Sequence, residues 1–265
     1  MECKICGSKS NELFSALILN KYEIKYFQCE KCRFIQTEEV YWLKEAYNEA
    51  IGQLDVGLVT RNQQLSDATA KIISKNFDPK GKFLDYGGGY GLFVRLMRDK
   101  GFDFYRQDSF CENIFAKYFD IDDLDEKGNF ELLTAFEVFE HLNNPIEEIT
   151  TMFKYAPSIL FSTELQSGTP FKSVDDWWYF SPEAGQHIGL YTYESLQQIA
   201  KRFNKNLYSN QVNLHLLTDK KLPQHTLKRS IADKVMGKIS DVRSKSLLQK
   251  DYEKIKASLN TNESE

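Results

Sequence analysis

At 265 residues, 42% of them hydrophobic and 27% charged, the chain has room for one sizeable core with an appendage and an ordinary globular composition. A net charge of −4 argues against a surface that attracts nucleic acid or anionic lipid as a whole. The N-terminus has no basic segment leading into an apolar run, and no later window approaches the roughly 18 apolar residues of a membrane span, so a soluble, cytoplasmic protein is expected.

Residues 1–40 hold four of the five cysteines as two C-x2-C pairs, Cys3 with Cys6 and Cys29 with Cys32. Each pair can set two thiolates on one knuckle turn, and ALILNKYEIKYFQC between them alternates as a short hairpin would. Four thiolates at tetrahedral distance select zinc and leave no position open for a substrate, which predicts a structural zinc ribbon. Six lysines or arginines balance six glutamates in this stretch. A neutral ribbon suits a docking element or a lid better than a grip on nucleic acid.

Residues 41–78 read as a helical linker or lid. Trp42, Leu43, Ala46 and Tyr47 fall at helical spacing, DVGLVTRN is a polar, glycine-bearing break, and a second helix centres on Leu65 to Ile73. Helices placed before a nucleotide-type domain cover its cleft, which makes Tyr47 and Arg61 candidate contacts.

Residues 79–217 alternate strands and helices. KFLDY, FDFYRQD, ELLTAF and SILFST read as strands, LFVRLMRDKG as a helix stopped by Gly101, and PIEEITTMFKYA as a helix begun by Pro145. Such alternation predicts an α/β fold with a parallel sheet covered on both faces and a ligand at the carboxyl ends of its strands.

The loop FLDYGGGYG lies at such an end. After Gly87 and Gly89 a dinucleotide fingerprint needs glycine at position 92, which is Leu92, and the Gly-Lys-Ser/Thr of a P-loop is missing. What stands is D-x-G-x-G-x-G: Asp85, Gly87, Gly89 and Gly91. An acid at the strand tip repels pyrophosphate and suits an ammonium or sulfonium, while the glycines and the following helix N-terminus admit a carboxylate. S-adenosylmethionine offers that combination. A ribose would further need an acceptor at the tip of the second strand, and FDFYRQD ends in Asp108.

On these residues the segment 79–217 resembles a class I methyltransferase domain dependent on S-adenosylmethionine. Asp85, Gly87, Gly89 and Gly91 match its first motif, Asp108 its second acid, and FELLTAFEVFEHL its fourth-strand segment. The resemblance implies a Rossmann-like sheet and places Phe136 among the cofactor contacts. With the four-cysteine ribbon and WWYFSPEAGQHIGLYTYESL, the chain is also similar to methyltransferases of bacterial sugar and polysaccharide biosynthesis, some of which methylate nucleotide-linked deoxysugars at carbon. Those carry a further C-terminal domain where this chain has only a tail, so a hydroxyl of a sugar nucleotide or glycan precursor is expected before a carbon.

Methyl transfer is an in-line displacement that needs alignment and one base. His187, in the turn-rich PEAGQHIGLYT, is the candidate base; Trp177, Trp178 and Tyr179 are candidate rings to stack on a sugar, and Glu164 a further strand-tip acid. Glu137, Glu140 and His141 form E-x-x-E-H, which on a helix shares one face and suits a divalent ion. Metal-dependent small-RNA 2′-O-methyltransferases and ubiquinone O-methyltransferases look similar at this motif, and in that alternative His187 would be a ligand. Cys111 reads as a small buried residue.

Residues 218–265 read as a helical tail. Ile231, Val235, Ile239, Val242, Leu248, Tyr252, Ile255 and Leu259 make a stripe, and from Lys220 eleven basic residues face six acidic ones. The tail is expected to pack on its own domain or on a partner, including a second copy. It also supports the remaining alternative, a scaffold that binds S-adenosylmethionine without turnover.

Overall fold

The computed structural model describes residues 1–47, 55–227 and 253. The tail stripe from Ile231 to Leu259 lies outside the described residues. Among the described residues no helix is long and apolar enough to cross a membrane.

Four strands run parallel at the centre: β4 (Lys82–Tyr86), β5 (Asp103–Gln107), β6 (Leu132–Phe136) and β7 (Ile159–Ser162), in the order β5-β4-β6-β7. Each has helices to both sides because neighbouring residues point to opposite faces and both are apolar. Leu84, Leu133 and Phe161 pack with Ile149 and Met152 of α4 (Pro145–Tyr155) and with Leu196 and Ile199 of α5 (Tyr193–Arg202). Phe83, Leu132 and Leu160 pack with Ile72 and Ile73 of α2 (Leu58–Asn76) and with Phe93, Val94 and Met97 of α3 (Leu92–Asp99). The chain steps from β4 to β5 on one side and returns to β6 on the other. Above β4 this reversal opens a crevice at the carboxyl ends of the strands.

The sheet is not parallel throughout. β10 (Leu214–Thr218) pairs antiparallel with both β7 and β9 (Asn206–Ser209). The reason is local: only four residues join β9 to β10, too few for a crossover. Asn210 closes the turn, its Oδ1 accepting from the backbone N–H groups of Val212, Asn213 and Leu214 at 2.8, 2.9 and 3.0 Å.

The expected hairpin is present as β1 (Ser10–Ile18) and β2 (Tyr22–Cys29). β3 (Ile35–Thr37) continues it, and then a strand from far along the chain joins: β8 (Gly189–Leu190) pairs with β3. Cys3, Ile5, Cys29, Cys32 and Phe34 lie in the same core cluster as the sheet strands, so the cysteine-bearing segment is seated on the α/β body.

One expected break is corrected. DVGLVTRN is not a loop between helices, because α2 already starts at Leu58, after the short α1 (Leu43–Ala46). Gly57 stands at the N-cap, where glycine is tolerated, and Arg61 reaches back to Asp55 with two hydrogen bonds of 3.0 and 2.8 Å.

Candidate active site

A cleft of about 1060 Å³ opens above the carboxyl ends of β4, β5 and β6. The glycine loop forms one side. Gly87, Gly89 and Gly91 have φ of +68°, +53° and +84°, the left-handed region that favours glycine. The loop is braced from β5: Gly87 N–H and Gly88 N–H donate to Gln107 O at 2.8 and 3.2 Å, and Asp108 Oδ2 accepts from Gly89 N–H at 2.9 Å. Asp108 Oδ1 also accepts from Phe110 and Cys111 N–H, both at 2.7 Å.

Arg106 was not singled out from the sequence, yet it holds this region together. It is 5% exposed and donates to Gly89 O, to Cys111 O and to Asp120 Oδ1. The available signal was an arginine inside the apolar strand FDFYRQD, where a buried charge must find partners.

Asp85 lines the cleft but is almost enclosed, accepting a 2.6 Å hydrogen bond from Thr134 Oγ1. Burial pushes its pKa up to about 7. The folded value thus lies above the unfolded one. Its contribution to stability is fully present below about pH 4 and is lost as pH rises through 7, on the order of 4 kcal/mol in all. Asp85→Asn keeps an acceptor for Thr134 and removes the titration. The melting temperature of ligand-free Asp85→Asn is therefore expected to fall less steeply between about pH 4 and 7 than that of the parent protein. Equal slopes in a buffered thermal-denaturation series would contradict this.

The opposite side carries the other candidates. Tyr179 and His187 follow one another in space, their rings 4.6 Å apart, and Trp178 lies 5.3 Å from Tyr179. Tyr179 is buried, whereas Trp178 is 73% exposed at the cleft mouth. Trp177 does not line the cleft; it stacks on Phe171 at 5.5 Å and lies 5.2 Å from Tyr179, in the core cluster behind it. His187 Nδ1–H donates to Tyr179 O at 2.6 Å, which leaves Nε2 as the acceptor nitrogen of the neutral ring. Burial lowers the pKa of His187 and brings that of His141 down to about 3. Both rings are neutral near pH 7. His141 Nδ1 shares a 3.1 Å hydrogen bond with the Tyr47 hydroxyl, and the two imidazoles meet at 5.0 Å.

E-x-x-E-H does not form the expected helical face. Glu137 has a φ of +53°, and only a 3-10 turn, Phe139–His141, follows it. Glu137 thereby turns to Ser162, whose hydroxyl donates to its Oε1 at 2.5 Å, and to Arg61, whose Nε lies 3.7 Å from its Oε2. Glu140 points the other way. It is fully buried, neither carboxylate oxygen has a hydrogen-bond partner among the described residues, and burial raises its pKa to about 7. One donor atom each of Glu140, His141 and His187 lies within 4.8 Å of the others. His187 thus takes the place expected of Glu137. Glu164 lines the cleft and accepts from Asn213 Nδ2 at 3.0 Å; Phe136, Arg61 and Tyr47 also line it.

At the far end of the ribbon the Sγ atoms of Cys3 and Cys32, Cys6 and Cys29, and Cys6 and Cys32 are each 3.6 Å apart. Zinc–sulfur bonds of about 2.3 Å in a tetrahedron put sulfurs about 3.8 Å apart, so the donor set fits a zinc ion. Cys29 Sγ accepts from the N–H groups of Lys31 and Cys32, as a metal knuckle requires.

A profile of the family described as methyltransferase domain matches residues 59–210, more than half of the chain. The chain belongs to this methyltransferase family. It is an S-adenosylmethionine-dependent methyltransferase of the general kind. Among solved structures, the methyltransferase domain of bacterial CtHen1 is 17% identical, covering 60% of this methyltransferase and 98% of that chain, with a TM-score of 0.38. Phosphoethanolamine N-methyltransferase 2 of Haemonchus contortus, solved with S-adenosyl-L-methionine, is 15% identical over 54% of this chain and 37% of that one, with a TM-score of 0.40. CalO1, a methyltransferase of calicheamicin biosynthesis, is 14% identical over 68% and 60%, with a TM-score of 0.41. No curated protein matches the methyltransferase.

Proposed function

We propose that the protein methylates a hydroxyl of a sugar nucleotide or glycan precursor, with Asp85, Gly87, Gly89, Asp108 and Phe136 holding S-adenosylmethionine and His187 taking the acceptor proton. When bound, the cofactor supplies an electrophilic methyl on a sulfonium. The chain's own part is to align the acceptor oxygen and remove its proton. The observation that carries the acceptor class is Trp178, an indole open at the cleft mouth and joined through Tyr179 to His187, as stacking on a sugar ring requires. The cleft lining supports an uncharged sugar ring in the cleft over a polyanion, since Asp55, Asp85, Asp108, Glu137, Glu148 and Glu164 outnumber Lys44 and Arg61; the diphosphate of a nucleotide-linked acceptor would have to lie outside it.

In this reading Cys3, Cys6, Cys29 and Cys32 hold one structural zinc. The test is a thermal-shift and methyl-transfer series on the purified full chain, whose metal content should be one zinc per chain. S-adenosylhomocysteine at 100 times its dissociation constant should stabilise by about 2.7 kcal/mol. Labelled methyl from S-adenosylmethionine should enter nucleotide sugars or oligosaccharides. Stabilisation without transfer to any of them would leave the cofactor assignment standing and remove the acceptor class.

A second reading has one observation in its favour, the reach of Glu140, His141 and His187 to a common point. Two neutral imidazoles and a carboxylate with no hydrogen-bond partner among the described residues suit a divalent transition ion, which would bring the protein to metal-assisted O-methylation of RNA or a small phenol.

A further inference from the structure

His141 and His187 come from segments 46 residues apart in the chain, and both segments are tied to the first cysteine knuckle. The His187 side runs through Gln36. This glutamine is 1% exposed on β3 and sits opposite Gly189 of β8. Its side chain clamps the backbone on either side of Cys3: Oε1 accepts from Lys4 N–H at 2.9 Å, and Nε2 donates to Glu2 O at 2.9 Å. From β3 the link continues without a gap. Thr37 N–H donates to Ile188 O at 3.2 Å, and Ile188 N–H donates to Glu140 O at 2.9 Å. The residue next to His187 is therefore strung between the ribbon and the turn that carries Glu140 and His141.

Space is as tight as the hydrogen bonding. A Cβ on Gly189 would stand 3.0 Å from Phe34 Cζ of the ribbon and 3.8 Å from Glu140 O. The His141 side runs through Lys4, whose Nζ donates to Asn143 Oδ1 at 2.7 Å, two residues past His141. Asn143 itself lines the cleft.

We propose that Gln36 and Lys4 are positioning residues: they tie the Cys3 knuckle to the segments bearing His187 and His141, so that the geometry of the ribbon sets the spacing of the histidine pair. Neither side chain needs to touch the acceptor. The ribbon is in this view part of the active-site frame, whereas the glycine loop is braced from β5 through Gln107 and Asp108. The inference rests on the reading of the His187 wall as the acceptor side, but its test needs no acceptor.

The chain has four histidines, His141, His187, His215 and His225, so an isotope-labelled full-length protein gives four resolvable imidazole signals. His215 is buried between Ser209 and Thr163 and reports on general packing. In Gln36→Ala the His187 and His141 signals are expected to shift and broaden while His215 stays in place. Lys4→Met should move His141 more than His187, whose ring lies 5.0 Å from it. Gln36→Leu, which fills the space without either hydrogen bond, should move the same two signals and serves if Gln36→Ala does not fold. All three should retain affinity for S-adenosylmethionine within about twofold, since neither Gln36 nor Lys4 lines the cleft. Unmoved His141 and His187 signals overturn the proposal, and so does movement of His215 along with them. Loss of cofactor binding in the parent protein would instead count against the function proposed above.

Discussion

Gly87→Arg is expected to weaken S-adenosylmethionine binding by about 100-fold or more, read by titration calorimetry on the folded variant. Two costs act together. The residue has a φ of +68°, where an L side chain loses about 1–2 kcal/mol. Its Cβ would also lie 2.7 Å from Val138 Cγ2, inside any real contact, and overpacking of this kind costs about 1–3 kcal/mol. The loop cannot slide away cheaply, because Gly87 and Gly88 are both hydrogen-bonded to Gln107 O. These costs fall on the loop's folded geometry and reach binding by displacing the loop from the shape that holds the cofactor; the guanidinium also enters the space of a cationic cofactor, and a 100-fold loss corresponds to about 2.7 kcal/mol of binding. Gly101→Ala is the control. It has a φ of +88° and no atom within 4 Å of its Cβ, so it should lose stability alone and bind as the parent does. Binding by Gly87→Arg within a few-fold of the parent would remove the glycine loop from the cofactor site.

Features written in short-range chemistry were legible in the sequence. The spacing of Cys3, Cys6, Cys29 and Cys32 specified two knuckles, and the structure brings their sulfurs to 3.6 Å in three pairs. KFLDY before the glycines reads as a strand, and β4 does run from Lys82 to Tyr86 and end at the loop. What could not be read is set by partners distant in the chain. β8 is two residues long, Gly189 and Leu190, and is a strand only because β3 lies beside it. Glu137 was read as helical because E-x-x-E-H permits a helix. The positive φ that turns it to Ser162 depends on a neighbour 25 residues away. The antiparallel β10 was missed for a different reason: the brevity of the link after Ser209 decides its direction, and pattern alone does not.

His187→Ala is expected to lower kcat by about 10² to 10⁴-fold with affinity for S-adenosylmethionine unchanged, the range for loss of a general base. The direction follows from geometry: Nδ1 is committed to Tyr179 O, and Nε2 is the only ring atom left to accept a proton. The pH profile carries the same information. Because burial holds the pKa of His187 below the usual histidine value, its neutral form is already dominant at neutral pH. The rate should therefore be flat above pH 7 and fall only on the acid side. Glu140→Gln separates the two ways His187 can act. If His187 is a base, the amide leaves its Nε2 untouched, so kcat should change by less than about tenfold. If Glu140, His141 and His187 hold a divalent ion, Glu140→Gln and His141→Ala should each cost as much as His187→Ala. Added Mn2+ should then bind the parent and not Glu140→Gln. An enzyme whose kcat survives His187→Ala has its base elsewhere on the cleft wall. Glu137 would then be the group to test, because it lies 3.7 Å from Arg61 and also lines the cleft.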